Sequence, residues 1–327
     1  MPSRPHAIAA LILATAGWGL SFPLMKALTL WQQQACPGAS TPFLSAWGLG
    51  LRFLIATLAL AVLLGYRRLA GLTRKEGRQA VELGVYTALG LGLQMDGLNY
   101  TLASTSAFLT QGYVVFLPVW LALASHRLPA LRIWAAVALV LAGAVVLTGL
   151  DWRDLSLGRG ELETLGAALV FTVQILAVES PRFAGNDSLR MSVAAFAVTA
   201  LLLLPIGVLL APSPTFLWQT YASWPAVGIL LVLALVPTLM SMALMFTYQR
   251  HVGATAAAIT YCCEPVFASG FALVLPGLLS LWMGVSYANE TITEALLVGG
   301  ALVLAAVALV QMPGASTRAW PDVAPPR

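Results

Sequence analysis

The sequence predicts an all-α polytopic membrane protein, with ten transmembrane helices in two inverted five-helix repeats. Three observations carry this expectation. Of 327 residues, 59% are hydrophobic and only 9% charged, and the mean hydropathy is +0.86. Soluble domains carry about 25% charged residues, so the solvent for this chain is lipid. Apolar stretches close to the ~20 residues that cross a bilayer recur along its length. Lysine and arginine collect in alternate connections between them, the bias that sets orientation in membranes.

The first stretch, 7–29, is long and runs into "MKALTLWQQQ" without a small-residue cleavage site. It therefore reads as a retained helix and not as a signal peptide. Trp18 lies mid-helix between Gly17 and Gly19, small neighbours that let another helix come close. Its indole is either packing or a stacking surface for a substrate. Lys26 lies near the outer end, where its stem reaches the interface. The second stretch, 43–65, holds Arg52 about nine residues in, or ~14 Å at 1.5 Å per residue. A charge at that depth costs at least ~2.5–3.5 kcal/mol on insertion scales, so Arg52 must face the protein interior. There it receives an anionic group of a substrate, pairs with a carboxylate or holds helix-end carbonyls. Asp96 lies near the outer end of the third stretch, 80–99. It is placed to pair with Lys26 or Arg52, or to take a substrate amine or a proton. A short "NYTLAST" turn leads to the fourth stretch, 104–124, with Gln111, Tyr113 and Pro118. The fifth covers 131–149.

The second half supplies stretches at 161–180, 190–211, 224–247, 254–276 and 294–312. Gln94, Gln111 and Gln174 would be costly against lipid and are expected to point inward. Glu82 and Glu179, near cytoplasmic helix ends, read as interfacial. The ninth stretch contains "ITYCCEPVFASGFALV", with Tyr261 and Glu264. Counted from Ala254, Glu264 lies ~15 Å into the membrane. Pro265 removes a backbone donor, leaves the Tyr261 carbonyl without its usual partner and favours a kink. Glu264 is therefore a proton-coupling acid, an anchor for a cationic substrate group, a salt-bridge partner for Arg52 or a hydrogen-bonded brace for the bend. The outer segment "PGLLSLWMGVSYANETIT" has no Lys or Arg. It reads as an interfacial loop, a short helix along the outer interface or a cover over a cavity mouth.

With both termini cytoplasmic, the inner segments hold Arg4, Arg67, Arg68, Arg74, Lys75, Arg78, Arg127, Arg132, Arg182, Arg190, Arg250, Arg318 and Arg327. The outer ones hold only Arg153 and Arg159. This bias also accounts for the net charge of +4. "ALVLAGAVVLTG" (138–149) resembles "ALVLAAVALVQM" (301–312), and "AFLTQGYVVFLPVW" (107–120) aligns with "ATAAAITYCCEPVF" (254–267), setting Pro118 against Pro265. A five-helix unit crosses an odd number of times, so its second copy sits inverted, an arrangement that transporters build around a central site. The expected organisation is a first repeat at 1–150, a second at 151–313 and a disordered cytoplasmic tail at 314–327.

Several segments also resemble the drug/metabolite transporter superfamily, EamA type. They are "ATAGWGLSFPLMK" (14–26), "GLRFLIATLAL" (50–60), "LQMDGLNYTLASTSAFLTQGYVVFLPVW" (93–120), "EPVFASGFAL" (264–273), "ETIT" (290–293) and "LLVGGALVLAAVAL" (296–309). The resemblance spans nearly the whole chain in the family's order. The chain departs from the pattern at "SHRLPALR", at Asp96 and in the inserted stretch 276–289. The resemblance implies a ten-helix exporter of metabolites with a central cavity between its halves.

Other classes fit less well. The three cysteines form no disulfide framework, the three histidines are scattered, and no metal-ligand spacing occurs. No GxxxxGK[ST] phosphate loop is present, and no basic patch with interleaved aromatics points to nucleic acid. An intramembrane lipid-modifying enzyme would need convergent catalytic groups at one interface, and the acids here are spread over several helices. A membrane sensor or scaffold subunit is the remaining alternative. The expectation is a non-enzymatic secondary transporter exporting small metabolites, such as amino acids or related amphipathic compounds. It would work by alternating access, driven by protons or by the substrate gradient, without a cofactor. Its partners would be a small-molecule substrate and membrane lipid, as a monomer or homodimer, and the short loops suit a bacterial inner membrane.

Overall fold

A computed structural model describes residues 3–97, 100–101, 106, 109–126, 128–148 and 158–312. The expected tail at 314–327 and the junction between the two expected repeats lie outside the described residues, as do Arg127, Arg153, Arg318 and Arg327. Twelve helices matter for the argument. They are α1 (Arg4–Ala35), α2 (Thr41–Leu64), α3 (Arg74–Gly97), α4 (Tyr113–Ser125), α5 (Leu131–Thr148) and α6 (Arg159–Val178). These are followed by α7 (Ser188–Leu210), α8 (Trp224–Val252), α9 (Ala254–Tyr261), α10 (Glu264–Ala272), α11 (Leu275–Met283) and α12 (Glu294–Gln311). Among the described residues there is no strand.

Six of these helices, α1, α2, α6, α7, α8 and α12, are long and apolar enough to cross a membrane. The α9–α10 run together with α11, bent by 60°, makes a seventh candidate. Helices α4 and α5 are apolar but shorter. The long apolar runs fold as helices because lipid offers backbone groups no partners, and a helix satisfies them within one segment. Where the chain turns, polar side chains take over. Ser40 accepts the Phe43 N–H at the start of α2, Ser223 that of Ala226 in α8, and Thr293 that of Leu296 in α12. Helix α3 starts earlier than the apolar stretch predicts because of a capping box. The Thr73 N–H donates to Glu76 Oε2 at 2.8 Å, and the Glu76 N–H donates to Thr73 Oγ1 at 3.2 Å.

Small residues set the packing. Helices α2 and α7 cross antiparallel, with Gly50 seated on Leu204 and Gly207 on Trp47. Helices α5 and α12 also cross antiparallel, Gly143 lying against the Gly299 carbonyl and Gly299 against that of Gly143. Helix α3 runs antiparallel to α6, where Gly90 meets Phe171 and Gly97 meets Thr164. Helix α1 runs antiparallel to α8, where Gly17 meets Ser241. On its next face, Gly19 presses against the backbone of α10.

The outer segment forms a helix, α11. It buries Pro276, Leu279 and Met283, the last two packing with Leu24, Ala27 and Leu28 of α1 and Ile229 and Leu233 of α8. Leu278, Leu281 and Trp282 stay exposed. The segment is thus a short helix over its first half and irregular from Val285 to Thr293.

Candidate functional site

Two apolar stretches are interrupted close to candidate residues. The ninth stretch breaks at Cys262–Cys263. The N–H groups there turn to carbonyls three residues back, Ile259 at 3.2 Å and Thr260 at 3.1 Å, and a new helix starts at Glu264 with Pro265 in its first turn. Proline is tolerated there because its missing N–H would have had no helical partner. In the first half, Pro118 sits inside α4. The interruption falls upstream at Gln111–Gly112, where the Gly112 N–H reaches back only to Leu109 (2.9 Å). Glycine weakens the helix at this point, so this break falls six residues before Pro118, whereas the other falls two residues before Pro265.

The interrupted ends meet. Tyr113 is buried and donates its hydroxyl hydrogen to Gln111 Oε1 at 3.2 Å, while Cys262 Sγ lies 3.9 Å from that hydroxyl. Tyr261 is buried as well, and its hydroxyl donates to Gln249 Oε1 at 3.1 Å. Gln249 in turn donates through Nε2 to the Ile175 carbonyl at 2.6 Å. The Trp18 ring packs edge-on against Tyr261, with centroids 5.2 Å apart. Its Nε1 donates to the Pro237 carbonyl at 3.1 Å. Glu264 is partly buried in the first turn of α10, where the helix dipole favours a negative charge. Among the described residues, no hydrogen bond or ion pair engages its carboxylate. The salt bridge to Arg52 is therefore not formed, and no hydrogen-bonded brace through Glu264 is seen among the described residues.

Arg52 is buried midway along α2. Its Nε and Nη2 both donate to Thr238 Oγ1, at 3.3 and 3.1 Å, and Nη1 donates to Met25 Sδ at 3.4 Å. Thr238 lies in a π-helical turn, Ala234–Met240, inside α8. Such turns are often found at functional sites. Arg52 has no carboxylate partner among the described residues.

The other candidates are elsewhere. Asp96 pairs with Arg159 at 2.6 Å, not with Lys26 or Arg52, because the antiparallel packing of α3 on α6 brings the start of α6 beside the end of α3. Arg159 also reaches Glu163 at 2.7 Å and lies over the Tyr100 ring. Lys26 is exposed. Gln94 donates to Thr110 Oγ1 at 3.2 Å and Gln174 to Thr87 Oγ1 at 3.0 Å. All three glutamines thus point inward, and two of them tie helices together. Glu82 pairs with Arg182 at 2.5 Å. Glu179 caps α9 by accepting the Ala254 N–H at 2.7 Å.

Sequence reasoning missed Thr238, Gln249 and Cys262. Pro237, inside a long apolar stretch, was the available signal for the first.

No family model matches the chain, so the EamA-type resemblance rests on the segments quoted above. A solved structure described only as the crystal structure of a protein shares the fold. It has a TM-score of 0.60 at 17% identity, covering 89% of this chain and 96% of that one. In sequence, the chain is similar to a protein of Archaeoglobus fulgidus named "Uncharacterized transporter", 26% identical over 310 residues, 94% of this chain and 87% of that protein.

Proposed function

We propose that this chain is a secondary transporter that exports small metabolites by alternating access, with its site where the two interrupted helices meet. Glu264 is the group that carries a proton or holds a substrate cation. The observation that carries the reading is this carboxylate, set at a helix break and engaged by no hydrogen bond or ion pair among the described residues. Transporters use discontinuous helices in this way, because freed backbone ends and unpaired side chains are tolerated only where they line a cavity. The similarity to a named transporter points the same way.

Ten crossings in two inverted repeats belong to this proposal, and the packing supports them. Exchanging the first five stretches for the second five turns the α3–α6 contact into the α1–α8 contact, and leaves α2–α7 and α5–α12 unchanged. Gly50 on Leu204 and Gly207 on Trp47 are related by the same exchange.

The test uses purified protein in liposomes loaded with a panel of metabolites and amino acids, with release read by mass spectrometry. Wild type should release a subset selectively, at least tenfold faster with an imposed pH gradient. Glu264→Gln should lose that gradient dependence. Selective release indifferent to the gradient would remove proton coupling and leave Glu264 to bind substrate. No release from folded protein would sink the transporter reading in favour of a sensor or scaffold.

A further inference from the structure

The environment of Arg52 specifies a ligand chemistry. Guanidinium carries five N–H donors and is charged at every accessible pH. Here three of them are used, two on one hydroxyl and one on a thioether sulfur, a weak acceptor. The second hydrogens on Nη1 and Nη2 have no acceptor among the described residues. An arginine that only braces helices takes backbone carbonyls, and the neighbouring π turn has some to offer. None of them is seen to accept from Arg52, and three carbonyls in or beside the turn take other side chains instead. The Leu233 carbonyl accepts from Thr238 (2.9 Å), that of Val236 from Ser241 (3.2 Å) and that of Pro237 from Trp18 (3.1 Å). The arginine meets this turn only through the Thr238 hydroxyl, and part of the guanidinium edge is left over. One helical turn back along α2, the Tyr221 hydroxyl lies over Gly48, adding a second polar group to the same face.

A buried cation without a counter-charge is costly, and a planar guanidinium fits a planar oxyanion through paired hydrogen bonds. The site holds one positive charge with neutral neighbours, so it balances a monoanion and leaves a phosphate dianion in excess. We propose that Arg52, oriented by Thr238, is the subsite that receives the carboxylate of the transported compound. This rests on the transporter reading and narrows it to carboxylated metabolites. Trp18 bonds Pro237 beside Thr238 and packs on Tyr261 beside the Glu264 break, so it stands between the carboxylate subsite and Glu264.

The experiment compares matched pairs: L-leucine with L-leucinamide, and phenylacetate with phenylacetamide. Binding to detergent-purified protein is read by melting shift and calorimetry, and release from liposomes is read separately. Wild type should prefer each carboxylate over its amide by at least tenfold. Arg52→Gln should abolish the preference. Arg52→Lys, which keeps the charge and loses the fork, should reduce it severalfold, as should Thr238→Val. If Arg52→Gln does not fold, the lysine and valine variants decide, and an unchanged preference in folded protein overturns the subsite. Equal binding of acids and amides by wild type, or no carboxylate binding at all, also overturns it. Selective release without a carboxylate preference would leave a transporter and remove the subsite. Arg52-dependent carboxylate binding without release would keep the subsite and sink transport.

Discussion

At the scale of single residues, Asp187 shows how one end of the helix bundle is held. Its Oδ1 accepts the N–H groups of Leu189 and Arg190, at 3.0 and 3.1 Å, capping α7, while Oδ2 meets Arg68 at 2.9 Å. Burial pushes its carboxyl up, but the Arg68 guanidinium and the two capping N–H groups outweigh burial and hold it below the ordinary aspartate value of 3.8. A depressed carboxylate contributes stability that is fully present above its ordinary pKa and lost as pH falls through the depressed one. Titration of Asp187 should therefore leave the melting temperature in detergent unchanged above about pH 5. In Asp187→Asn, which keeps the cap, part of the acid-side fall should disappear. Asp187→Ala removes the cap as well and should cost about 1–2 kcal/mol at neutral pH. Arg68 is well exposed, so the ion pair adds little beyond the cap. A fall in Asp187→Asn as steep as in wild type would assign the acid sensitivity to other carboxylates.

At the scale of elements, close approach across glycine places the site. A Cβ on Gly19 would lie 2.7 Å from Phe267 Cβ and 2.8 Å from the Ala268 nitrogen. Both are fixed parts of α10, so no rotamer change relieves the clash. Gly19→Val should push α1 off α10, lower stability by about 2–3 kcal/mol and move Trp18 away from Tyr261. The check is a melting curve with tryptophan fluorescence, and an unchanged melting temperature would mean that α10 shifts freely. The break before Pro265 was legible in the sequence because the missing proline N–H weakens the preceding turn, although Pro23, Pro118 and Pro205 sit inside continuous helices. The break at Gly112 was not, since a lone glycine is routine in membrane helices and its effect depends on neighbours. The Asp96–Arg159 pair was also illegible. It follows from which helices lie antiparallel, which charge counting along one chain does not reveal.

At the scale of the whole molecule, most of the helices were readable because lipid imposes a length and a composition on any span. The expected orientation rests on arginine and lysine alone. The arrangement around Arg52 was not readable, because it requires Met25, Thr238 and Tyr221 to converge from three separate segments. The orientation has a direct test in protein whose three cysteines are replaced. A membrane-impermeant maleimide should label Thr215→Cys and Glu290→Cys in intact cells. Ala184→Cys should react only after the membrane is opened. Labelling of all three in intact cells would refute the proposed placement of the termini.

Gly253 alone separates α8 from α9, in a backbone region (φ +93°) that side chains rarely adopt. A one-residue joint forbids the two helices to slide apart and allows them only to swing. From this pivot to Glu264 is a lever of about 16 Å at 1.5 Å per residue. A tilt of ~10° would carry the carboxylate about 3 Å, the length of one hydrogen bond. A small angular change at this joint is thus enough to decide what Glu264 touches.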